Sequence, residues 1–268
     1  MSRWEIGIRT DGFTFSHGDE YFRINECIDY HDMRYHTISS DCFDKITPED
    51  QNKAQSIIYG VVAIANGAFA LALGDGYKYI EINRNEIKYD GNLCSLTKND
   101  YVPEMNPYKT LGMTYYKPIL SVVNINIPYH LIVLSRAYPP IREILFLVGC
   151  YIDDPNINRN ISTWTILYAM YDTIYFYSEE MAKTHAQKKN EERVSAHLSI
   201  DMLTLKRFTQ TANNFDYLGI FSRHGKRRHE APKRPMELSQ AEDFVFKMSM
   251  AFFEAFIAHE QQKERDGI

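Results

Sequence analysis

The chain has 268 residues, of which 44% are apolar and 24% are charged, with a net charge of −5. This length is enough for one large domain or two modest ones, and this composition excludes wholesale disorder. The net negative charge excludes a generally basic protein that coats nucleic acid. The four cysteines include no CxxC pair and the N-terminus lacks the apolar segment of a signal peptide, so we expect a cytoplasmic protein with reduced thiols.

The first residues of the chain predict a β-hairpin. Apolar residues alternate with polar ones over residues 4–8, an Asp-Gly turn follows at residues 11–12, and apolar alternation resumes over residues 13–15. A third strand is predicted over residues 21–24. Further short strands are predicted over residues 79–82, 87–89, 119–127 and 131–134.

One long helix is predicted within this β-rich half. Thr47 is a suitable N-cap, Pro48 suits the first helical position, and Gly74 provides a stop. Residues 57–73 are almost entirely apolar, but as a helix they would span about 25 Å, less than the hydrocarbon core of about 30 Å. We therefore expect a buried core helix and no membrane partner. Small residues recur on one face of this helix and predict the close approach of another element: Gly60, Ala63, Gly67 and Ala70.

The apolar periodicity becomes helical in the second half of the chain. Helices are predicted over residues 139–152, from Ser162 as N-cap, over residues 198–214, and from a capping box at residues 239–242. The charged residues 183–193 are typical of a solvated helix face or a linker.

These patterns together predict an α+β fold. It comprises a mixed α/β N-terminal region with one long buried helix, residues 1–134, and a helical-bundle C-terminal region, residues 135–268. The last helix has apolar residues on both sides, including Phe253 and Ile257. It therefore either lies at the centre of a bundle or pairs with a second subunit in a homodimer. An aromatic stripe at helical spacing is typical of core packing: Trp164, Tyr168, Tyr171 and Tyr175.

A basic segment interrupts the helical pattern at residues 223–234, where six positive side chains accompany one negative side chain. Such a concentration of charge favours an anionic partner, either RNA or another phosphate-bearing ligand. Nucleic-acid contacts are predicted for the cationic side chains of this segment: Arg223, Lys226, Arg227, Arg228, Lys233 and Arg234.

The basic segment also contains two histidines, His224 and His229. An imidazole with a pKa near neutrality can move the proton of a ribose 2′-OH, and arginine can hold the phosphate in bidentate fashion. Metal-free RNA cleavage needs these groups, so the candidate catalytic residues are Arg223, His224 and His229.

The arrangement Arg223-x5-His229 in a helical module resembles the HEPN family, whose Arg-x(4–6)-His motifs meet across the dimer interface of metal-independent ribonucleases. The resemblance covers at most residues 139–262. It implies that Arg223 positions phosphate and that His229 acts in proton transfer within a homodimer.

A second candidate site is Cys27-x3-His31-x4-His36-x5-Cys42. Two thiolates and two imidazoles could hold zinc in a tetrahedral site. Structural zinc sites use two closely spaced pairs of ligands, however, and these four residues are evenly spread. The alternative is an ordinary polar loop, and we expect neither a metal nor another cofactor.

Three classes of function remain open. The first is a nucleic-acid or phosphate-ligand binding and regulatory protein that uses the basic segment. The second is a metal-independent, HEPN-like endoribonuclease. The third is a protein-interaction module with no nucleic-acid role, whose footprint would be an apolar patch at Phe253 and Ile257.

Overall fold

The computed structural model describes residues 3–10, 17–18, 21–28, 32, 34–74, 79–94, 102–113, 118–152, 159–181, 190–224 and 232–267. The chain forms two compact units. The first unit comprises Met1–Pro118 and Asn126–Asp153, and the second comprises Ile119–Ile125 and Asp154–Ile268. All described strands belong to the first unit and the second unit is helical, so the fold is α+β as predicted.

The first unit contains an antiparallel sheet. Its described strands are β1 (Trp4–Arg9), β2 (His17–Gly18), β3 (Arg23–Ile28), β4 (Arg34–Ser39), β5 (Glu81–Tyr89) and β6 (Asn92–Leu93). Their order is β2-β3-β4-β1-β5-β6. Both edges of β1 are occupied, by β4 and by β5, so β1 is not half of a simple two-stranded hairpin. The predicted hairpin residues 13–15 lie outside the described residues, whereas the two strands predicted at 79–82 and 87–89 form the single strand β5.

One face of the sheet is apolar because its registered pairs are aliphatic. Ile6 is opposite both Ile38 and Ile87, and Ile24 is opposite Ile38. All four side chains are fully buried. The other face is polar: Glu5 accepts hydrogen bonds from Tyr35 Oη at 3.3 Å and from Lys88 Nζ at 3.2 Å. This alternation is the period-two pattern expected of a sheet with one core face.

The long predicted helix is α1 (Gln51–Leu73). It begins later than predicted because the carboxylate of Asp50, and not Thr47, accepts the hydrogen bond from Lys53 N at 3.0 Å. It ends at Gly74, as expected, with φ of 54°. Among the described residues it is the one helix long and apolar enough to cross a membrane, but 83% of its most apolar window is buried inside the protein. The prediction of a core helix is confirmed.

Asn66 ties α1 to the strand that follows it. This residue is fully buried, and its amide group makes two hydrogen bonds with the backbone of Ile80, each of 3.0 Å. One bond is donated by Asn66 Nδ2 and the other is accepted by Asn66 Oδ1. A buried amide that is satisfied in this way fixes the position of the helix along the chain entering β5.

The remaining helices of the first unit are α2 (Pro107–Thr110), α3 (Pro128–Ala137) and α4 (Pro139–Ile152). The small residues of α1 allow α4 to approach closely, as predicted: a Cβ on Gly67 would lie 1.9 Å from Leu145 O, and one on Gly149 would lie 1.8 Å from Ala63 O. Because α4 packs on α1, the first unit extends to residue 153, beyond the predicted boundary at residue 134. The independent folding of regions 1–134 and 135–268 stays a prediction.

The strands predicted at residues 119–127 and 131–134 are wrong. Leu120–Val122 is a 3₁₀ turn in the second unit, and residues 131–134 lie in α3. Pro128 provides the first turn of α3, and its buried residues Leu131 and Leu134 recur at the helical spacing of three. A short aliphatic run fits either a strand or a buried helix, and here the proline decides for the helix.

The second unit contains α5 (Arg159–Met181), α6 (Asn190–His197), α7 (Met202–Ala212), α8 (Phe215–Leu218) and α9 (Leu238–Asp266). Helix α5 begins three residues before the predicted N-cap Ser162. The helix predicted over residues 198–214 begins only at Met202, where Asp201 caps it by accepting from Thr204 N at 2.7 Å. At the start of α9 the reciprocal contact joins Glu237 N to Gln240 Oε1 at 3.3 Å, so the capping pair predicted at residues 239–242 is wrong.

The two-sided apolar character of α9 is explained within the chain. Phe252 and Phe253 are fully buried and Ile257 is 8% exposed. The apolar patch predicted at Phe253 and Ile257 is therefore absent from the surface of the protein. The central position of α9 in the helical unit accounts for its pattern, and pairing with a second subunit stays a prediction.

Candidate functional site

Both ends of the basic segment, residues 223–234, are attached to the end of α7. The backbone N–H of Arg223 donates to Ala212 O at 2.9 Å. The backbone N–H of Met236, just beyond the segment, donates to Thr211 Oγ1 at 3.0 Å. Thr211 and Ala212 are adjacent residues, so the chain leaves and returns at one place on this helix.

Arg207 strengthens the second attachment. Its guanidinium donates to Arg234 O and to Pro235 O, each at 2.8 Å, and to Gln240 Oε1 at 2.9 Å. These three acceptors fix the chain immediately before α9. Sequence reasoning missed Arg207, because a single arginine on an amphipathic helix carries no local sign of its distant partners.

Arg223 is held by two side chains of α5. Its guanidinium forms an ion pair with Asp172 Oδ2 at 2.9 Å, and it lies over the ring of Tyr168 with the Cζ atom 4.1 Å from the ring centroid. The side chains of Arg223 and Asp172 remain 37% and 45% exposed. A phosphate at Arg223 would therefore compete with a carboxylate that is already present, although water and ligands can reach the pair.

Burial dominates the titration of Asp172. Desolvation raises the pKa of its carboxyl group, and the nearby charges of Arg223 and His224 oppose that rise without cancelling it. The carboxyl group of Asp172 therefore holds its proton more tightly than a fully solvated aspartate would.

The Arg223 guanidinium of this ion pair lies over a stack of aromatic rings, which we call the aromatic column. The aromatic column consists of the rings of Tyr168, Phe208 and Trp164. Phe208 stacks on Tyr168 with ring centroids 6.0 Å apart and an interplanar angle of 19°, and on Trp164 at 6.1 Å and 26°. Tyr168 and Trp164 are 6% and 5% exposed, so the predicted core role of the stripe on α5 is confirmed. Arg223 covers one end of the column by its cation–π contact.

The structure describes only some of the predicted site residues, those at the two ends of the basic segment. His224 is half-buried, and its carbonyl accepts a hydrogen bond from the Ser222 hydroxyl. Lys233 and Arg234 are exposed at the other end of the segment. The remaining predicted contacts, Lys226, Arg227, Arg228 and His229, lie outside the described residues. The pairing of Arg223 with His229 implied by the HEPN resemblance therefore stays a prediction.

The three described candidate zinc ligands, Cys27, His36 and Cys42, do not form a common site. Cys27 is paired with Tyr35 across the sheet, and its Sγ lies 3.7 Å from Thr37 Oγ1. His36 lies between those two residues on β4, so its side chain is on the opposite face. Cys42 is fully buried, and burial raises the pKa of its thiol to about 12, which disfavours the thiolate that zinc requires.

His31 lies outside the described residues. Within the ranges that the structure describes, no group of three or more His, Cys, Asp or Glu side chains is arranged to hold a metal ion.

Comparison with protein families, with curated proteins and with solved structures finds no match to this chain.

Proposed function

We propose that the second unit binds a phosphate-bearing ligand, with nucleic acid as the preferred class, through the basic segment at residues 223–234. The observation that carries this proposal is the attachment of both ends of the segment to Thr211 and Ala212 of α7. A segment with closed ends has already lost part of the conformational entropy that binding would otherwise cost.

The charge of the segment supports an anionic ligand. Six positive side chains and one negative side chain fall within twelve consecutive residues of a chain whose net charge is −5. Lys233 and Arg234 are exposed, so their charged groups face solvent at the attached end. A local positive patch on an acidic protein attracts a polyanion to one place.

Arg223 has a different part in this proposal from the other cations. Its contacts with Asp172 and Tyr168 fix the entry to the segment, so phosphate contacts come mainly from the cations after it. An HEPN-like ribonuclease would instead need Arg223 to leave Asp172 and meet the phosphate beside His229. The two mechanisms therefore make opposite demands on this ion pair.

The proposal is tested by fluorescence anisotropy with a labelled single-stranded RNA of about 20 nucleotides, in EDTA, across a series of salt concentrations. The triple variant K226Q/R227Q/R228Q is compared with K206Q/K247Q/R265Q, which removes three exposed cations elsewhere in the second unit. We expect the first variant to bind much more weakly and to lose about 2 from the slope of log K against log salt. Binding by the control should change little. Equal weakening by both variants, or no binding by the wild type at low salt, would contradict the proposal.

The same RNA, run on a denaturing gel, tests the ribonuclease alternative. Binding without cleavage supports the binding role. Cleavage in EDTA that is lost in His229→Ala, while binding is retained, would replace that role with metal-independent catalysis.

A further inference from the structure

An open cleft of about 380 Å³ lies in the second unit. Three aromatic side chains line it, Trp164, Tyr217 and Phe221, together with apolar side chains and the carboxylate-bearing Glu237. The volume is within the range of small-molecule sites, which extends from about 300 to 1,000 Å³. We call it the aromatic cleft.

The aromatic cleft adjoins both ends of the basic segment. Phe221 precedes Arg223 by two residues, and Met236, which also lines the cleft, follows Arg234 by two residues. Two residues of chain span at most about 7 Å, so the backbone of the exposed Arg234 lies close to this wall of the cleft. The hydrogen bond from Met236 N to Thr211 Oγ1, which closes the basic segment, therefore also fixes one wall of the cleft.

The walls of the cleft are rigidly supported. Trp164 is 5% exposed and is stacked on Phe208 in the aromatic column, so it forms a fixed floor. Tyr217 is 44% exposed and offers the accessible aromatic surface. Its backbone N–H donates to Oδ1 of the buried Asn214 at 2.8 Å, which fixes the turn that carries it.

We propose that the aromatic cleft binds a nucleobase of a single-stranded nucleic acid whose phosphates are held by Lys233 and Arg234, at the described end of the basic segment. This inference rests on the proposed function and adds the part of the ligand that enters the protein. A flat base has two apolar faces that stack on aromatic side chains, and its edges are polar. The cleft offers aromatic walls, and the exposed cations Lys233 and Arg234, which precede its lining residue Met236 in the chain, offer phosphate contacts.

Glu237 sets the orientation of the nucleotide. A carboxylate in the wall of the cleft repels phosphate, so the backbone lies outside, at Lys233 and Arg234, and the base lies inside. Free phosphate therefore has no reason to enter the cleft, which distinguishes this site from a simple anion site.

The experiment compares three probes by anisotropy or competition: a labelled oligodeoxyadenylate of about ten nucleotides, an abasic oligomer of the same length and charge, and free AMP. We expect the oligodeoxyadenylate to bind about tenfold more tightly than the abasic oligomer, because each stacked base adds affinity. AMP should compete weakly, since it offers one phosphate group. An RNA oligomer in a parallel arm separates RNA from DNA as the source of the base.

Tyr217→Ala removes the accessible stacking surface, and Tyr217→Phe keeps it. We expect Tyr217→Ala to weaken binding of the base-bearing oligomer about tenfold and to leave the abasic oligomer unaffected. Tyr217→Phe should bind like the wild type. Phe176→Ala is the matched control, because Phe176 is an aromatic residue of the same unit, 58% exposed, that does not line the cleft.

A second measurement follows the fluorescence of Trp164, which is one of two tryptophans in the chain. In a Trp4→Phe background, base-bearing oligomers should quench its fluorescence and the abasic oligomer should not. Equal binding of the two oligomers, unchanged by Tyr217→Ala, would overturn the base site and leave the proposed function standing. Failure of both oligomers to bind at low salt would overturn both.

Discussion

The two units each contain an arginine that pairs with a carboxylate and lies over a tyrosine, yet the two arrangements differ in exposure. In the first unit, Arg136 meets both oxygens of Asp41 at 2.7 and 2.5 Å, over the ring of Tyr21 at 4.4 Å, and its side chain is 2% exposed. In the second unit, Arg223 Nη2 lies 2.9 Å from Asp172 Oδ2, and the arginine side chain is 37% exposed.

The same three groups, an arginine, a carboxylate and a tyrosine ring, thus occur once buried in the protein and once at its surface. The Arg136 side chain is buried, so a ligand in solution cannot reach its guanidinium. Arg223 is accessible to solvent at the entry to a cationic segment, where screening weakens the ion pair. Arg136 therefore serves the stability of the first unit, whereas Arg223 lies at the surface of the second unit.

The largest effect is expected from removing the sealed arginine. Arg136→Ala leaves Asp41 without its bidentate partner and opens a space beside Tyr21 and Tyr108, so we expect a loss of about 3 to 5 kcal/mol in the free energy of unfolding. Urea unfolding followed by circular dichroism measures it. The matched variant Arg223→Ala should lose about 1 kcal/mol or less, because its pair is exposed. Similar losses of unfolding free energy in both variants would show that the buried and the exposed ion pair contribute equally to stability.

A smaller effect is expected from filling the close approach in the first unit. Gly149→Ala places a Cβ 1.8 Å from Ala63 O, and both partners are backbone, so α1 and α4 must separate. We expect a loss of about 3 kcal/mol. Gly219→Ala in the second unit meets no atom within 4 Å, so its cost comes only from the backbone strain at φ of 59° and ψ of −129°, about 1 to 2 kcal/mol. Equal losses would show that the first unit is not the more tightly packed one at this contact.

The sequence predicted those features whose signal is local. Helix α1 contains an almost continuous apolar run, α4 and α9 have sustained apolar periodicity, and the basic segment is visible because its charges lie close together in sequence. The failures share a cause. Residues 119–134 contain short aliphatic runs that fit either a strand or a helix, and the start of a helix at Pro128 decides for the helix over residues 128–134. The partners of Arg223 and Arg207 are distant in sequence, so Asp172, Tyr168 and the carbonyl of Arg234 could be found only from the fold.

The smallest effect is expected from the titration of Asp172, the ion-pair partner of Arg223. Burial raises the pKa of this carboxyl group above its ordinary value of 3.8, so the folded protein holds the proton more tightly than the unfolded chain does. The stability that this group contributes is therefore fully present below pH 3.8 and is lost as the pH rises through the higher pKa of the folded state. Asp172→Asn removes that dependence, so the stability of the wild type relative to the variant should fall across this window. Urea unfolding of both proteins at a series of pH values measures it. A relative stability that instead rises with pH would mean that the attraction of Arg223 exceeds the cost of burial, and that this pair, like the sealed pair of Arg136 and Asp41, is built for stability.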